Sequence, residues 1–272
     1  MINFTKYYFK NNPFRKITLL KLFLLFVLFN IFIVYPLKNF LTSKGVFYGF
    51  SLSIPLFTLF LIFISNKIWN IKVRNFFSPI NFIKNYKNIL IVIPTSIFVI
   101  CITILINMLI LSIEQNFNEY GKIAQNGFSF FNIIIILILA PVFEELLIRG
   151  YILHRILYIM SPIKGIIIVS AIFSLLHGLP TIPGAFIFSI IVIIVFMKTK
   201  SILYPILIHF INNLMGVFLS YLSVNLNGKE YIFKIQNILF LIFLLILSGV
   251  ILYKFIKKNL KYIYSKQPYF IK

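Results

Sequence analysis

Acidic residues are scarce in this sequence, which contains no aspartate and only five glutamates against 26 lysines and arginines. The lack of aspartate excludes an aspartyl protease, whose mechanism needs a pair of aspartates. Cys101 is the single cysteine, so the chain offers neither a disulfide nor a thiolate metal site. The motifs His-Glu-x-x-His and Gly-x-Ser-x-Gly are both absent, which excludes a zincin-type protease and gives no support to a serine nucleophile.

Charged residues of both signs make up only 11% of the chain, while hydrophobic residues make up 61%. About a quarter of the residues in a soluble domain are charged, so a soluble core could not hold this much apolar surface. Apolar runs recur at the roughly 20-residue length with which a helix crosses the hydrocarbon layer of a bilayer. The sequence therefore predicts an all-α polytopic integral membrane protein with about eight transmembrane helices, at about 17–37, 46–65, 88–112, 130–158, 164–178, 184–197, 201–223 and 235–255.

The basic residues lie mainly in alternate gaps between these runs, such as 66–87, 149–164 and the segment after 255. By the positive-inside rule, this bias places both termini in the cytoplasm. The net charge of +21 is then explained by contact with a membrane surface, and no nucleic-acid-binding module is recognisable. The basic N-terminal segment and the apolar run from Ile17 are interpreted as an uncleaved first helix. Because the gaps are short, residues 1–272 are predicted to form a single membrane domain.

Two of the five glutamates, Glu144 and Glu145, lie inside the fourth apolar run. A carboxylate at bilayer depth costs at least ~2–3 kcal/mol, so an intramembrane acid indicates a functional site. Glu145 precedes Arg149 by four residues, a spacing that brings both onto one helix face, and the two are predicted to pair. Glu144 is rotated by about 100° from Glu145 and is predicted to point elsewhere.

The three histidines also lie in or beside apolar runs. His177 is late in the fifth predicted helix, and His209 is in the seventh, where Asn213 follows four residues later on the same face. Asn213 is predicted to orient His209 or to donate a hydrogen bond to a developing oxyanion. His154 is predicted to lie at the membrane interface. At 1.5 Å per residue, His177 lies about 20 Å along its helix and His209 about 12 Å along its own. Tilted helices, or a seventh helix that starts deeper in the membrane, are needed to bring them together.

Motifs built on these residues follow one another along the chain, as Glu144-Glu145-x-x-x-Arg149, Phe173-x-x-x-His177 and His209-x-x-x-Asn213. Together, each on its own apolar helix, they resemble the motifs of the CPBP family. That family includes the type II CAAX prenyl endopeptidases and bacterial bacteriocin-immunity (Abi-like) proteins. The resemblance covers about residues 130–220, and the remaining helices match only as membrane spans. Ile148 is a departure, because the family often has phenylalanine at this position.

The resemblance implies a role for each residue. Glu144 and His177 would activate the attacking water, and His209 and Asn213 would stabilise the tetrahedral intermediate. Residues 130–220, which span the fourth to the seventh predicted helices, would form the catalytic core.

The same resemblance implies that Glu145 and Arg149 hold the site together, and it leaves the cofactor open. The family has been interpreted both as metal-free glutamic endopeptidases and as metalloendopeptidases. Glu144, His177 and His209 could hold Zn²⁺ with one position open for water. The resemblance favours a metal-free mechanism, although the residues alone do not distinguish the two.

The sequence therefore predicts an integral-membrane endopeptidase that acts on a peptide or membrane-protein substrate at the lipid bilayer. Eukaryotic relatives imply prenylated CaaX substrates. The abundance of Lys, Asn, Ile and Phe instead suggests a bacterial cytoplasmic membrane, with peptide processing or bacteriocin immunity as the role. Two alternatives stay open: a non-catalytic immunity or scaffold protein with the same fold, and a proton-coupled transporter, since intramembrane Glu and His also form proton relays.

Overall fold

The computed structural model describes residues 18–37, 50–69, 90–113, 133–177, 181–225 and 235–264. Within these ranges the chain forms eight helices and no β-strand. They are α1 (Leu19–Phe29, continued by a π-helical turn at Asn30–Val34), α2 (Phe50–Ile64, continued by a π-helical turn at Ser65–Trp69), α3 (Val92–Ile113), α4 (residues 135–159), α5 (Pro162–Leu175), α6 (Ile182–Thr199), α7 (Leu203–Asn225) and α8 (Ile235–Tyr264). The predicted all-α membrane fold is confirmed, while the number of spans and the side of the termini stay predictions.

Helix α4 alternates between two helical forms along its length. Its segments are π-helical at Ile135–Leu139, α-helical at Ala140–Glu145, π-helical at Leu146–Ile152 and α-helical at Leu153–Ile159. Pro141 explains the first wide turn, because proline lacks an N–H and its ring clashes with the carbonyl four residues earlier in a regular α-helix. Such π-helical turns occur frequently at functional sites, and here they flank Glu144 and Glu145.

Short connections turn the chain back at two places. Met160 leaves α4 in an extended conformation, with φ −131° and ψ 163°. Pro162 then starts α5, because proline at the first helical position removes no helical hydrogen bond. At the end of α6, Lys200 adopts a left-handed conformation with φ 55° and terminates the helix. These turns make α4 and α5 neighbours, and likewise α6 and α7, which packs the candidate motifs together.

The most enclosed of the long apolar helices is α6. Of its most apolar window 61% is buried, against 11% for α1 and for α8, and these three are the described helices that are long and apolar enough to cross a membrane. Helix α5 has only 14 residues, which rise about 21 Å and fall short of the ~30 Å hydrocarbon layer. One buried apolar cluster includes residues from all eight described helices. Large apolar side chains of α1 and α8 point outward, as a lipid-facing surface requires.

Candidate active site

Glu145 and Arg149 form a fully buried ion pair on α4. Arg149 Nη1 lies 2.9 Å from Glu145 Oε1, and neither side chain is exposed. This is the pairing that the i,i+4 spacing predicts. Arg149 Nη2 also donates to Ser189 Oγ of α6 at 3.1 Å, and Arg149 Cζ lies 4.7 Å from the ring centroid of Phe173 in α5. The guanidinium thus joins three helices, and Glu145 compensates a cation whose burial alone would be strongly unfavourable.

His209 of α7 lies between the two glutamates. Its Nδ1 is 2.9 Å from Glu145 Oε1, and its Nε2 is 3.9 Å from Glu144 Oε2. An ionised carboxylate can only accept a hydrogen bond, so Nδ1 carries the proton, and this bond fixes the orientation of the ring. Edge-on contacts with Phe173 and Phe188, at centroid distances of 6.0 and 5.2 Å, enclose the imidazole.

The carboxylate of Glu144 is the more open of the two. Its side chain is 13% exposed, against 0% for Glu145. The 3.9 Å between Glu144 Oε2 and His209 Nε2 is too long for a direct hydrogen bond and leaves both atoms able to share a third partner. Glu144 therefore points away from the Glu145 ion pair, as the helical rotation predicts, and is the carboxylate that a reactant can reach.

His177 lies directly after α5, beside this cluster. The ring of Phe173 contacts both histidines, with centroid distances of 4.6 Å to His177 and 6.0 Å to His209. His177 Nδ1 is 2.9 Å from Phe173 O; since a carbonyl oxygen only accepts, Nδ1 carries the proton and Nε2 keeps a lone pair in the neutral ring. Among the described residues, no ion pair within 4.0 Å joins His177 to Glu144. The structure thus brings His177 close to the site without placing it against the glutamate.

Asn213 reaches α4 at a different point from His209. Its Nδ2 donates to the main-chain oxygen of Ile136 at 2.8 Å. The sequence predicts that Asn213 faces the same way as His209, and both side chains do contact α4. The main-chain partner could not be predicted, because it depends on the π-helical turn at the start of α4.

His154 is buried among the helices, and its predicted position at the membrane interface stays a prediction, because burial does not define its depth in the membrane. Its residue exposure is 6%, its Nδ1 lies 2.8 Å from Arg149 O, and its ring meets Phe196 of α6 edge-on at 5.9 Å. This ring contact brings the last turns of α4 beside α6. Sequence reasoning also missed Ser189, whose only signal is a hydroxyl within an otherwise apolar run.

Ser174 lies one turn before His177 and is the serine that a nucleophile search would consider. Its Oγ donates to Ala171 O of its own helix at 3.0 Å. This hydroxyl is therefore engaged by its own backbone, as serines in membrane helices often are.

The donors of the site do not converge as a metal centre requires. Within the part of the chain that the structure describes, no group of three or more His, Cys, Asp or Glu side chains could hold a metal ion. With Nδ1 of His177 held by a main-chain oxygen and Nδ1 of His209 held by Glu145, Nε2 is the nitrogen of each ring that could bind a metal. Among the described residues, Glu144 makes an ion-pair contact with His209 and none with His177. A zinc site made of Glu144, His177 and His209 does not fit this arrangement.

Comparison with protein families gives one match. The family model described as "Type II CAAX prenyl endopeptidase Rce1-like" matches residues 126–215. This segment contains all three motifs, so the predicted resemblance is confirmed over these residues, while α1, α2, α3 and α8 lie outside the match. Comparison with curated proteins and with solved structures gives no significant match.

Proposed function

We propose that this chain, which carries the core of the type II CAAX prenyl endopeptidase Rce1-like family at residues 126–215, is an integral-membrane endopeptidase with Glu144 as its catalytic base. The observation that carries the proposal is the position of His209, which meets Glu145 through Nδ1 and faces Glu144 through Nε2. One carboxylate holds the imidazole, and the other is left to react.

In the proposed reaction, Glu144 takes a proton from a water molecule as the water oxygen attacks the carbonyl carbon of a peptide bond. The electron pair of the C=O bond moves to oxygen and gives a tetrahedral oxyanion. Collapse of this intermediate reforms the carbonyl and breaks the C–N bond, and the amine leaves with the proton that Glu144 had accepted. The lone pair on His177 Nε2 would assist the water, since catalytic hydrogen bonds often tighten only once substrate is bound.

The oxyanion is proposed to be stabilised by His209 and Asn213. His209 can donate from Nε2 when both ring nitrogens carry protons. The amide of Asn213 has two N–H bonds; one is engaged by Ile136 O, and the other is the proposed donor. Glu145 would then act by holding His209 rather than by touching substrate.

The proposed substrate is a peptide segment or a membrane protein that enters from the bilayer. Glu144 is only 13% exposed, so the scissile bond must reach it in a largely enclosed site. A prenylated CaaX peptide fits the name of the family. For a protein of a bacterial cytoplasmic membrane, which we also propose, peptide processing linked to bacteriocin immunity is the expected role.

The test is cleavage by the detergent-purified protein of a fluorogenic peptide library that includes prenylated CaaX peptides. Wild type is compared with Glu144→Gln and with the matched control Ser174→Ala, whose hydroxyl bonds only its own helix. We expect Glu144→Gln to lower the rate by at least about 10²-fold, as for loss of a general base, and Ser174→Ala to retain it. Metal content is measured on the same samples, with a chelator arm expected to leave cleavage unchanged.

Three results would contradict the proposal. If the Glu144→Gln variant still cleaves the peptides, Glu144 is not the catalytic base. Loss of cleavage together with stoichiometric zinc makes the protein a metalloprotease. Absence of cleavage in wild type, combined with full immunity activity of Glu144→Gln in cells, identifies a non-catalytic immunity or scaffold protein.

A further inference from the structure

The regular hydrogen-bond registers at the start of α4 offer the main-chain oxygen of Ile136 no donor of its own. In the π-helical turn that opens α4, the N–H of Ala140 bonds to Ile135 O, five residues earlier. The next donor in that register belongs to Pro141, which has no N–H. In an α-helical register the donor for Ile136 would be Ala140, whose hydrogen is already used. The carbonyl is therefore left unpaired by the main chain.

Asn213 supplies the missing donor from another helix. Its Nδ2 lies 2.8 Å from Ile136 O, a good hydrogen-bond distance. Proline is tolerated in membrane helices when neighbouring helices satisfy the backbone groups that it frees. Asn213 meets that requirement here, because α7 packs against the start of α4.

We propose that Asn213 is a positioning residue, which satisfies the carbonyl left by Pro141 and thereby fixes the segment carrying Glu144 against α7. Glu144 follows Pro141 by three residues, and His209 precedes Asn213 by one helical turn. The bond therefore joins the two helices whose side chains face each other across 3.9 Å. This role is additional to oxyanion stabilisation, and its main readout, thermal stability, needs no substrate and is independent of the proposed reaction.

The test is a double-mutant cycle between residues 141 and 213 in detergent. Pro141→Ala restores an N–H at the position that can donate to Ile136 O, so it should make the Asn213 amide redundant. In the background that keeps Pro141, we expect Asn213→Ala to lower Tm by at least about 3 °C. In the Pro141→Ala background, we expect the same change to lower Tm by less than about 1 °C. The matched control is Asn212→Ala on the same helix; Asn212 Oδ1 is buried without a partner, so its removal should change Tm by less than about 1 °C in both backgrounds.

Equal loss of Tm from Asn213→Ala in both backgrounds would overturn the proposal, because the side chain would then contribute only packing. If the single variant fails to fold, recovery of the Pro141→Ala/Asn213→Ala protein supports the proposal, and failure of the double variant contradicts it.

Activity gives a second readout that a purely structural role would not move. If Asn213 is a positioning residue, Asn213→Ala should lower kcat more in the background that keeps Pro141 than in the Pro141→Ala background. KM should change little in either. An equal fall of kcat in both backgrounds, without coupling in Tm, would assign Asn213 to the oxyanion alone and overturn the inference. If no variant and no wild-type protein cleaves a peptide, the proposed function is contradicted. The double-mutant cycle measured by Tm then remains the test of the inference about Asn213.

Discussion

Glu144 and Glu145 are adjacent residues of the same type, and their surroundings separate their roles. Glu145 Oε1 accepts from Arg149 and from His209 in a region closed to solvent. Glu144 makes one long approach to His209 and keeps part of its side chain exposed. A charge that is buried and paired mainly stabilises structure, whereas a carboxylate with an unused lone pair beside an imidazole can move protons.

Because the two glutamates have different surroundings, we predict that a change to glutamine lowers the free energy of unfolding by different amounts at the two positions. Glu145→Gln leaves the Arg149 cation buried without its counterion, and breaking a buried pair in this way costs about 3–5 kcal/mol. Glu144→Gln removes only a partly open group and should change the free energy of unfolding by less than about 1 kcal/mol. Thermal unfolding in detergent checks both variants, which are also matched controls for each other. Equal stability of the two variants would mean that the ion pair does not hold the site.

The sequence predicts part of this residue-scale arrangement. The Glu145–Arg149 pair is local, so the i,i+4 spacing is sufficient to predict it. The Glu145–His209 bond joins residues 64 positions apart. The helical rise per residue places His177 and His209 at different distances along their own helices. Only the tilt and offset of whole helices bring them together, and a single sequence does not contain that information in readable form.

At the scale of the element, close contact between helices depends on individual glycines. Gly184 opens α6 at a point where an added Cβ would overlap the Thr103 side chain of α3. Small residues permit such an approach in membrane helices. Gly216 of α7, by contrast, has no neighbour within 4 Å of an added Cβ.

We therefore predict opposite effects of the same glycine-to-alanine change in two helices. Gly184→Ala should destabilise the protein by about 1–3 kcal/mol, as overpacking does, and Thr103→Ala should recover part of that loss by removing the contacting hydroxyl. Gly216→Ala should be neutral or stabilising by up to about 1 kcal/mol, because alanine favours the helix. Thermal unfolding measures these changes in stability. The proteins compared are the wild type, Gly184→Ala, Gly184→Ala combined with Thr103→Ala, and Gly216→Ala. A neutral Gly184→Ala variant would contradict the close packing of α3 on α6.

Across the whole molecule, the hydropathy pattern predicts the helices but not their arrangement. The apolar runs agree with the described helices because a bilayer requires long apolar segments with internal backbone hydrogen bonds. The central position of α6 and the outer positions of α1 and α8 could not be predicted, since all three are similarly apolar. The buried position of His154 was missed for the same reason, because it depends on which helix packs beside α4.

The orientation of the molecule stays a prediction that labelling can test. Arg155 and Lys164 flank the short connection between α4 and α5, and holding such cations on the cytoplasmic side is favoured by about 2.3 kcal/mol per charge per 100 mV of membrane potential. In a Cys101→Ala background, Ser161→Cys should therefore resist a membrane-impermeant maleimide in intact bacterial cells. Gln125→Cys, in the predicted external segment between α3 and α4, should react.

Permeabilised cells supply the control for this labelling, because Ser161 is exposed in the structure and must react once the reagent has access. Labelling of Ser161→Cys in intact cells, with protection of Gln125→Cys, would reverse the assigned orientation. Helix α5 begins directly after that connection, so His177 lies about one helix length, roughly 21 Å, from Ser161. The labelling pattern therefore also shows from which face of the membrane this distance to His177 is measured.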